Sequence, residues 1–173
     1  TRDTKASGPR GYAVHITQVA RRAQVTGTLA LTNEIIDRGE QITITEGSKT
    51  VNFQTIKGET VENKMNALTA AIKEAGLNLD MIRPEEINTD ANAPQIISLR
   101  HKEFGSEHSF QVSSTTAGLL SSQSDVYDTI TNGLDVAGEI NGEEATGKGQ
   151  VLTGNAGNSS TDGLSIRYNG LAL

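Results

Sequence analysis

Apolar positions along the chain come mostly in short alternating bursts. In Gly11-Tyr-Ala-Val-His-Ile-Thr-Gln-Val-Ala, Tyr12, Val14 and Ile16 alternate with small or polar residues. This is the spacing of a half-buried strand, whose successive side chains point to opposite faces, and it turns His15 toward solvent. Gln41-Ile-Thr-Ile-Thr places Ile42 and Ile44 on one face, and Thr50-Val-Asn-Phe-Gln does the same with Val51 and Phe53. Glu46-Gly-Ser-Lys lies between them and supplies the turn of a hairpin. The period then changes to a helical one. Val61, Met65, Leu68 and Ile72 form a stripe, with Thr60 placed to cap its start and Gly76 to end it. Met65 in that stripe reads as core packing.

Beyond the helix, Arg83-Pro84-Glu85-Glu86 and Asn92-Ala93-Pro94 punctuate a loop. Gln95-Ile-Ile-Ser-Leu-Arg and Ser109-Phe-Gln-Val-Ser then predict a second antiparallel pair. Ser113 to Asn132 is polar and small and reads as a connector. From Asp135 the pattern is β-rich again: Val136 and Ile140 precede an Asn141-Gly142 turn, Gln150-Val-Leu-Thr follows, and Leu164, Ile166 and Tyr168 alternate as a closing strand. Two strands, a helix and two strands make an α+β arrangement of mostly antiparallel sheets with one main helix at about residues 61–75. They do not make a βαβ nucleotide fold. The organisation expected is two small β-rich lobes: a hairpin, helix and hairpin lobe over 1–120, a connector over 121–134, and a lobe over 135–173 that packs with the N-terminal strand 11–19.

Composition sharpens this picture. The chain has 173 residues, enough for one sizeable core, but aromatic residues are only 3%, Trp and Cys are absent and Gly numbers 18. Such a chain favours short strands and many turns. Without Cys there is no disulfide framework, thiolate nucleophile or Cys-based metal site. The net charge of -6, from 15 Lys and Arg against 21 Asp and Glu, with the basic residues scattered, argues against nucleic acid as partner. The doublet Arg21-Arg22 reads as a solvated strand end or an interface contact. No run of about 18 apolar residues suggests a membrane span, and the opening TRDTKASGPRG lacks the apolar stretch of a secretory signal. The sequence reads as a fragment of something longer.

Candidate chemistry is sparse. Gly142-Glu-Glu-Ala-Thr-Gly-Lys148-Gly149 has the glycine and lysine spacing of a phosphate loop, but Gly149 stands where Ser or Thr would hold magnesium, and a strand-like segment follows instead of a helix. The loop Gly154-Asn-Ala-Gly-Asn-Ser-Ser-Thr-Asp-Gly163 offers Asn155, Asn158 and Asp162 as oxygen ligands, with too few carboxylates for calcium. Asn158-Ser-Ser160 matches the N-glycosylation pattern. His101 and His108 could face each other across a turn with Glu103 or Glu107, a pattern commoner in solvated turns than in metal sites. Glu85-Glu86 and Glu143-Glu144 are neighbours in sequence, which on a strand puts the two members on opposite faces. No Gly-x-Ser-x-Gly elbow is present. The expectation is therefore a protein that is not an enzyme, with no catalytic, cofactor or metal residues and no cofactor.

The stretch Gly11 to Gln24, Gly-Tyr-Ala-Val-His-Ile-Thr-Gln-Val-Ala-Arg-Arg-Ala-Gln, resembles the opening of the outer region of the flagellar filament cap family, the second hook-associated protein. Asp135 to Gly170, with Asp-Val-Ala-Gly-Glu-Ile-Asn-Gly-Glu-Glu-Ala-Thr-Gly-Lys-Gly-Gln-Val-Leu-Thr-Gly and Gly-Leu-Ser-Ile-Arg-Tyr-Asn-Gly, resembles a second signature of that family. Glu139 stands where the family's version carries Thr. The middle, Ile42 through Thr115, is similar to the hairpin, helix and hairpin unit of cap proteins and some flagellins. The resemblance implies a distal, outer-domain fragment of a structural protein of the bacterial flagellum. Its full-length parent would self-associate in a ring at the filament tip, promote assembly of flagellin, contact host or other surfaces, and reach the extracellular space through the flagellar secretion system. A flagellin with an outer-domain insert is the close alternative. A carbohydrate-binding or adhesive module is the alternative of another class, though without the exposed Trp platforms such modules use.

Overall fold

The computed structural model describes residues 4–82, 94–127 and 130–170. The punctuation at Arg83 to Glu86 and at Asn92-Ala93 lies outside them. The chain divides into two units, one of Thr1–Arg22, Glu103–His108 and Asn132–Leu173, the other of Ala23–Lys102 and Ser109–Thr131.

The first unit is built on a five-stranded antiparallel sheet. It contains β1 (Val14–Gln18), β8 (Ala137–Ile140), β9 (Glu143–Lys148), β10 (Val151–Gly154) and β11 (Ser165–Arg167), in that spatial order. Alternation decides its two faces. Ile140 and Leu152 turn inward with Val136 and Ala20, and Ile16, Ala145, Leu164, Ile166 and Tyr168 pack against them. His15, Glu139, Glu144, Thr146 and Arg167 point out to solvent. The β8–β9 turn is Asn141-Gly142, with φ of 55° and 73°, the double left-handed geometry that matches the twist of a two-residue hairpin. Asn141 also ties β1 to this turn. Its Oδ1 accepts from the Ala13 amide at 2.8 Å and its own amide donates to the Ala13 carbonyl at 2.7 Å.

The second unit carries two three-stranded sheets. One has the order β2 (Arg22–Thr26), β6 (Ser98–Phe104), β5 (Leu79–Ile82). The other has β4 (Lys49–Gln54), β3 (Gln41–Glu46), β7 (Gln111–Ser114). Their core holds Ile42, Ile44, Val51, Leu79, Leu99, Val112 and Leu119, closed by helix α2 (Val61–Glu74) through Met65, Leu68 and Ile72. Thr60 caps α2, its hydroxyl accepting from the Asn63 amide at 3.2 Å, and Gly76 follows the last turn with φ 68°. A five-residue helix, α1 (Asn33–Asp37), is capped in the same way by Thr32. The fold is thus α+β, mostly antiparallel, with one main helix.

The predicted pairing of Gln95–Arg100 with Ser109–Ser113 is corrected. β6 lies between β2 and β5, with Leu79 opposite His101 and Ile82 opposite Ser98, whereas β7 pairs with β3, Val112 opposite Ile44. Alternation fixes which face of a strand is buried, but it carries no information on which neighbour completes the ladder. The polar segment after Ser113 is knitted into this unit. Leu119 and Leu120 are buried, and the Ser114 and Ser121 hydroxyls lie 3.0 Å apart, each bonded to nearby main chain. Among the described residues no helix is long and apolar enough to cross a membrane.

Candidate functional site

The segment with phosphate-loop spacing is strand β9 and its two turns. Residues 145 to 148 are paired to β10, with Gly147 opposite Leu152 and Lys148 opposite Val151, so the amides that would cradle phosphate are in a ladder. The glycines have separate causes. Gly142 and Gly149 hold left-handed turn positions, with φ of 73° and 56°. Gly147 lacks a side chain because the Val136 carbonyl occupies that place, 1.5 Å from where a Cβ would sit. Lys148 pairs with Glu107 at 3.1 Å, both side chains exposed.

The most elaborate polar arrangement centres on Glu143, which faces the core side of β9, while its neighbour Glu144 faces solvent. The loop after β10 wraps the Glu143 carboxylate with two amides and three hydroxyls. Ser159 N and Oγ donate to Oε1 at 2.8 and 2.5 Å, Ser160 Oγ and Thr161 Oγ1 donate to Oε2 at 2.9 and 2.6 Å, and Ser160 N reaches both oxygens at 3.2 Å. The Ser159 and Thr161 hydroxyls lead in holding its carboxyl down at about 2. The residues weighed as calcium ligands belong to the same scaffold. Asn155 Oδ1 accepts from Thr146 at 2.6 Å, Asp162 Oδ2 accepts from the Gly157 amide at 2.9 Å, and Asn158 Nδ2 donates to the Glu144 carbonyl and to Thr161 Oγ1. The glycosylation pattern is therefore tied down at both ends, through Asn158 Nδ2 and Ser160 Oγ. Nothing in the sequence pattern marks Glu143 as the centre of this loop; the run Ser159-Ser160-Thr161 was the available signal.

Two further carboxylates act as local knots. Burial alone would raise the Asp135 carboxyl, but donation from Ser106 Oγ at 2.5 Å and from the Gly149 amide at 2.7 Å outweighs it and lowers it. In the second unit, burial pushes Glu46 up, and the Asn78 amide at 2.7 Å with His101 Nε2 at 3.0 Å brings it down below the ordinary value. One ring nitrogen of His101, Nε2, is thus placed on Glu46, and His108 Nδ1 lies 3.2 Å from Glu103. His15 is exposed on β1. A shallow depression of about 230 Å³ lies over the β3–β4 hairpin, lined by Gln41, Ile42, Thr43, Asn52, Phe53 and Gln54. It presents amides and a hydroxyl, groups suited to hydrogen bonding and not to proton transfer at neutral pH.

These carboxylates hold loops onto strands. No protein-family model and no curated protein matches the sequence. Solved structures do match. The D2-D3 domains of the flagellar cap protein FliD from Serratia marcescens are 14% identical with a TM-score of 0.52, over 94% of this chain and 97% of that one. The D2-D3 domains of FliD from Escherichia coli are 12% identical with a TM-score of 0.51, over 94% and 82%. A longer Escherichia coli fragment, D1-D2-D3, is 12% identical with a TM-score of 0.47 over 80% of this chain, which spans 42% of that fragment's length. At such identities the likeness is one of backbone: this chain has the fold of the D2-D3 region of the flagellar cap protein.

Proposed function

We propose that the chain is the outer part of a flagellar filament cap, and that it works by assembling and contacting rather than by catalysis. The observation that carries this reading is the pairing of β1 with β8, Val14 opposite Ile140 and Ile16 opposite Gly138. It joins the two stretches that resemble the cap family, Gly11 to Gln24 and Asp135 to Gly170, in a single sheet. The D2-D3 fold likeness over 94% of the chain supports the same reading. In it the two units are the two outer domains, the parent protein self-associates as a ring at the filament tip, and flagellin is the partner whose insertion it promotes. The site of action is then extracellular, reached through the flagellar export route, with surface contact as a further role of the exposed faces.

Deletion of the parent gene tests this by swimming assay, electron microscopy of filaments and immunoblotting of the medium. Loss of full-length filaments with flagellin monomer shed into the medium is expected. Full-length filaments with no shed monomer would overturn the proposal. Loss of the filament with no flagellin left to shed would make the parent a flagellin carrying an outer insert.

A further inference from the structure

The sequence contains three Asn-Gly pairs, Asn132-Gly133, Asn141-Gly142 and Asn169-Gly170, and only the second serves as a hairpin turn. An Asn-Gly pair is chemically the most reactive Asn context. Lacking a side chain, Gly lets its main-chain nitrogen approach the Asn side-chain carbonyl carbon. Closure forms a C–N bond, the Gly amide proton passes to solvent base, and the side-chain nitrogen leaves as ammonia. Water then opens the five-membered imide at either carbonyl to give Asp or isoaspartate. The reaction requires rotation of the Asn main chain and side chain together, so the folded structure decides which pair reacts.

Two of the pairs are held. Asn141 is fixed at φ 55°, with its Oδ1 engaged by the Ala13 amide and its own amide by the Ala13 carbonyl. Reaching the closing geometry breaks both bonds and the turn. Asn132-Gly133 lies between two backbone bridges, Gln24 with Thr131 and Arg21 with Leu134, and the Asn132 carbonyl accepts from Arg21 Nε at 3.1 Å. Rotating Asn132 to close an imide on the Gly133 nitrogen pulls against both bridges. Asn169 differs. It is exposed and follows Tyr168, whose amide donates to the Gln150 carbonyl at 2.9 Å; among the described residues this is the last backbone bond of the sheet.

We propose that Asn169 is a site of spontaneous conversion to Asp and isoaspartate in the folded chain, while Asn132 and Asn141 are protected by their partners. The product adds a negative charge beside β11 and, as isoaspartate, one extra main-chain carbon at the exit from the sheet.

The test is incubation of the whole 173-residue chain at mildly alkaline pH and 37 °C, with peptide mapping by mass spectrometry and an isoaspartate-specific methyltransferase assay. Modification at Asn169 is expected first. Loss of two main hydrogen bonds at Asn141 converts to about 30-fold slower reaction there. In urea, where the fold is gone, the three sites are expected to react within a few-fold of one another. Ala13→Pro, which removes the amide held by Asn141 Oδ1, should raise the rate at Asn141 and leave Asn169 unchanged. If Ala13→Pro unfolds the chain, the comparison of native and urea rates for the unaltered chain still decides. Asn141 or Asn132 reacting as fast as Asn169 in the folded chain, an unmodified Asn169, or the same ranking in urea would each overturn the proposal.

Discussion

Replacing Gly147 by Ala should unfasten the first unit's sheet from the inside. The added Cβ would sit 1.5 Å from the Val136 carbonyl oxygen and 2.7 Å from its carbon, whereas an ordinary contact is about 3.4 Å or more. β9 and the segment leading into β8 must therefore part by about 2 Å. The Val136 amide donates to the Gly149 carbonyl at 2.8 Å, and a displacement of that size breaks the bond, at about 1 kcal/mol. The same movement opens the packing around Val136, which is 1% exposed; overpacking of this kind costs about 1–3 kcal/mol. The total is about 2–4 kcal/mol, a lowering of the urea midpoint of roughly 1–3 M. Gly142→Ala is the control. It has nothing within 4 Å of the added carbon and a φ of 73°, so only the left-handed backbone is penalised, by about 1 kcal/mol. Urea unfolding followed by far-ultraviolet circular dichroism measures both. If Gly147→Ala loses no more stability than Gly142→Ala, the close approach of the Val136 carbonyl is not what keeps this position Gly.

Met65→Ala, at a side chain wholly excluded from solvent in α2, should cost about 2–5 kcal/mol in the same assay, and Thr60→Ala about 1 kcal/mol through loss of the cap on the Asn63 amide. Glu143 has its folded-state pKa depressed to about 2 from 4.5. Its contribution is therefore fully present above pH 4.5 and is lost as pH falls toward 2. Glu143→Gln should flatten the stability profile across that window, and equal slopes for the two proteins would contradict the cradle. Magnesium-ATP at millimolar concentration should leave the thermal midpoint unmoved, since a ligand at 100 times its dissociation constant would add about 2.7 kcal/mol.

Local order was legible where the sequence carries both a period and its punctuation. Thr60, the stripe through Ile72 and Gly76 define α2, Gly47 turns β3 into β4, and Asn141-Gly142 turns β8 into β9. Strands without such punctuation carry too little pattern to be legible. β2 shows only Ala23 and Val25 turned inward, and β5 only Leu79 buried with Met81 partly so. The long-range partners were not legible either, because β6 and β7 find their ladders with strands far from each other in sequence. The Glu143 cradle was hidden for a similar reason. Its donors lie 16 to 18 residues away across a hairpin and a loop, and none of them is unusual by type.

The joining of β1 to β8 has a kinetic side. Ala13 and Asn141 are 128 residues apart, so a chain made from its N-terminus exposes β1 long before its ladder partner β8 exists. Contacts of such separation slow folding, and an unpaired strand invites the wrong neighbour. Val14, 43% exposed even when paired, marks the strand that waits, and the second unit has time to fold before the first can close.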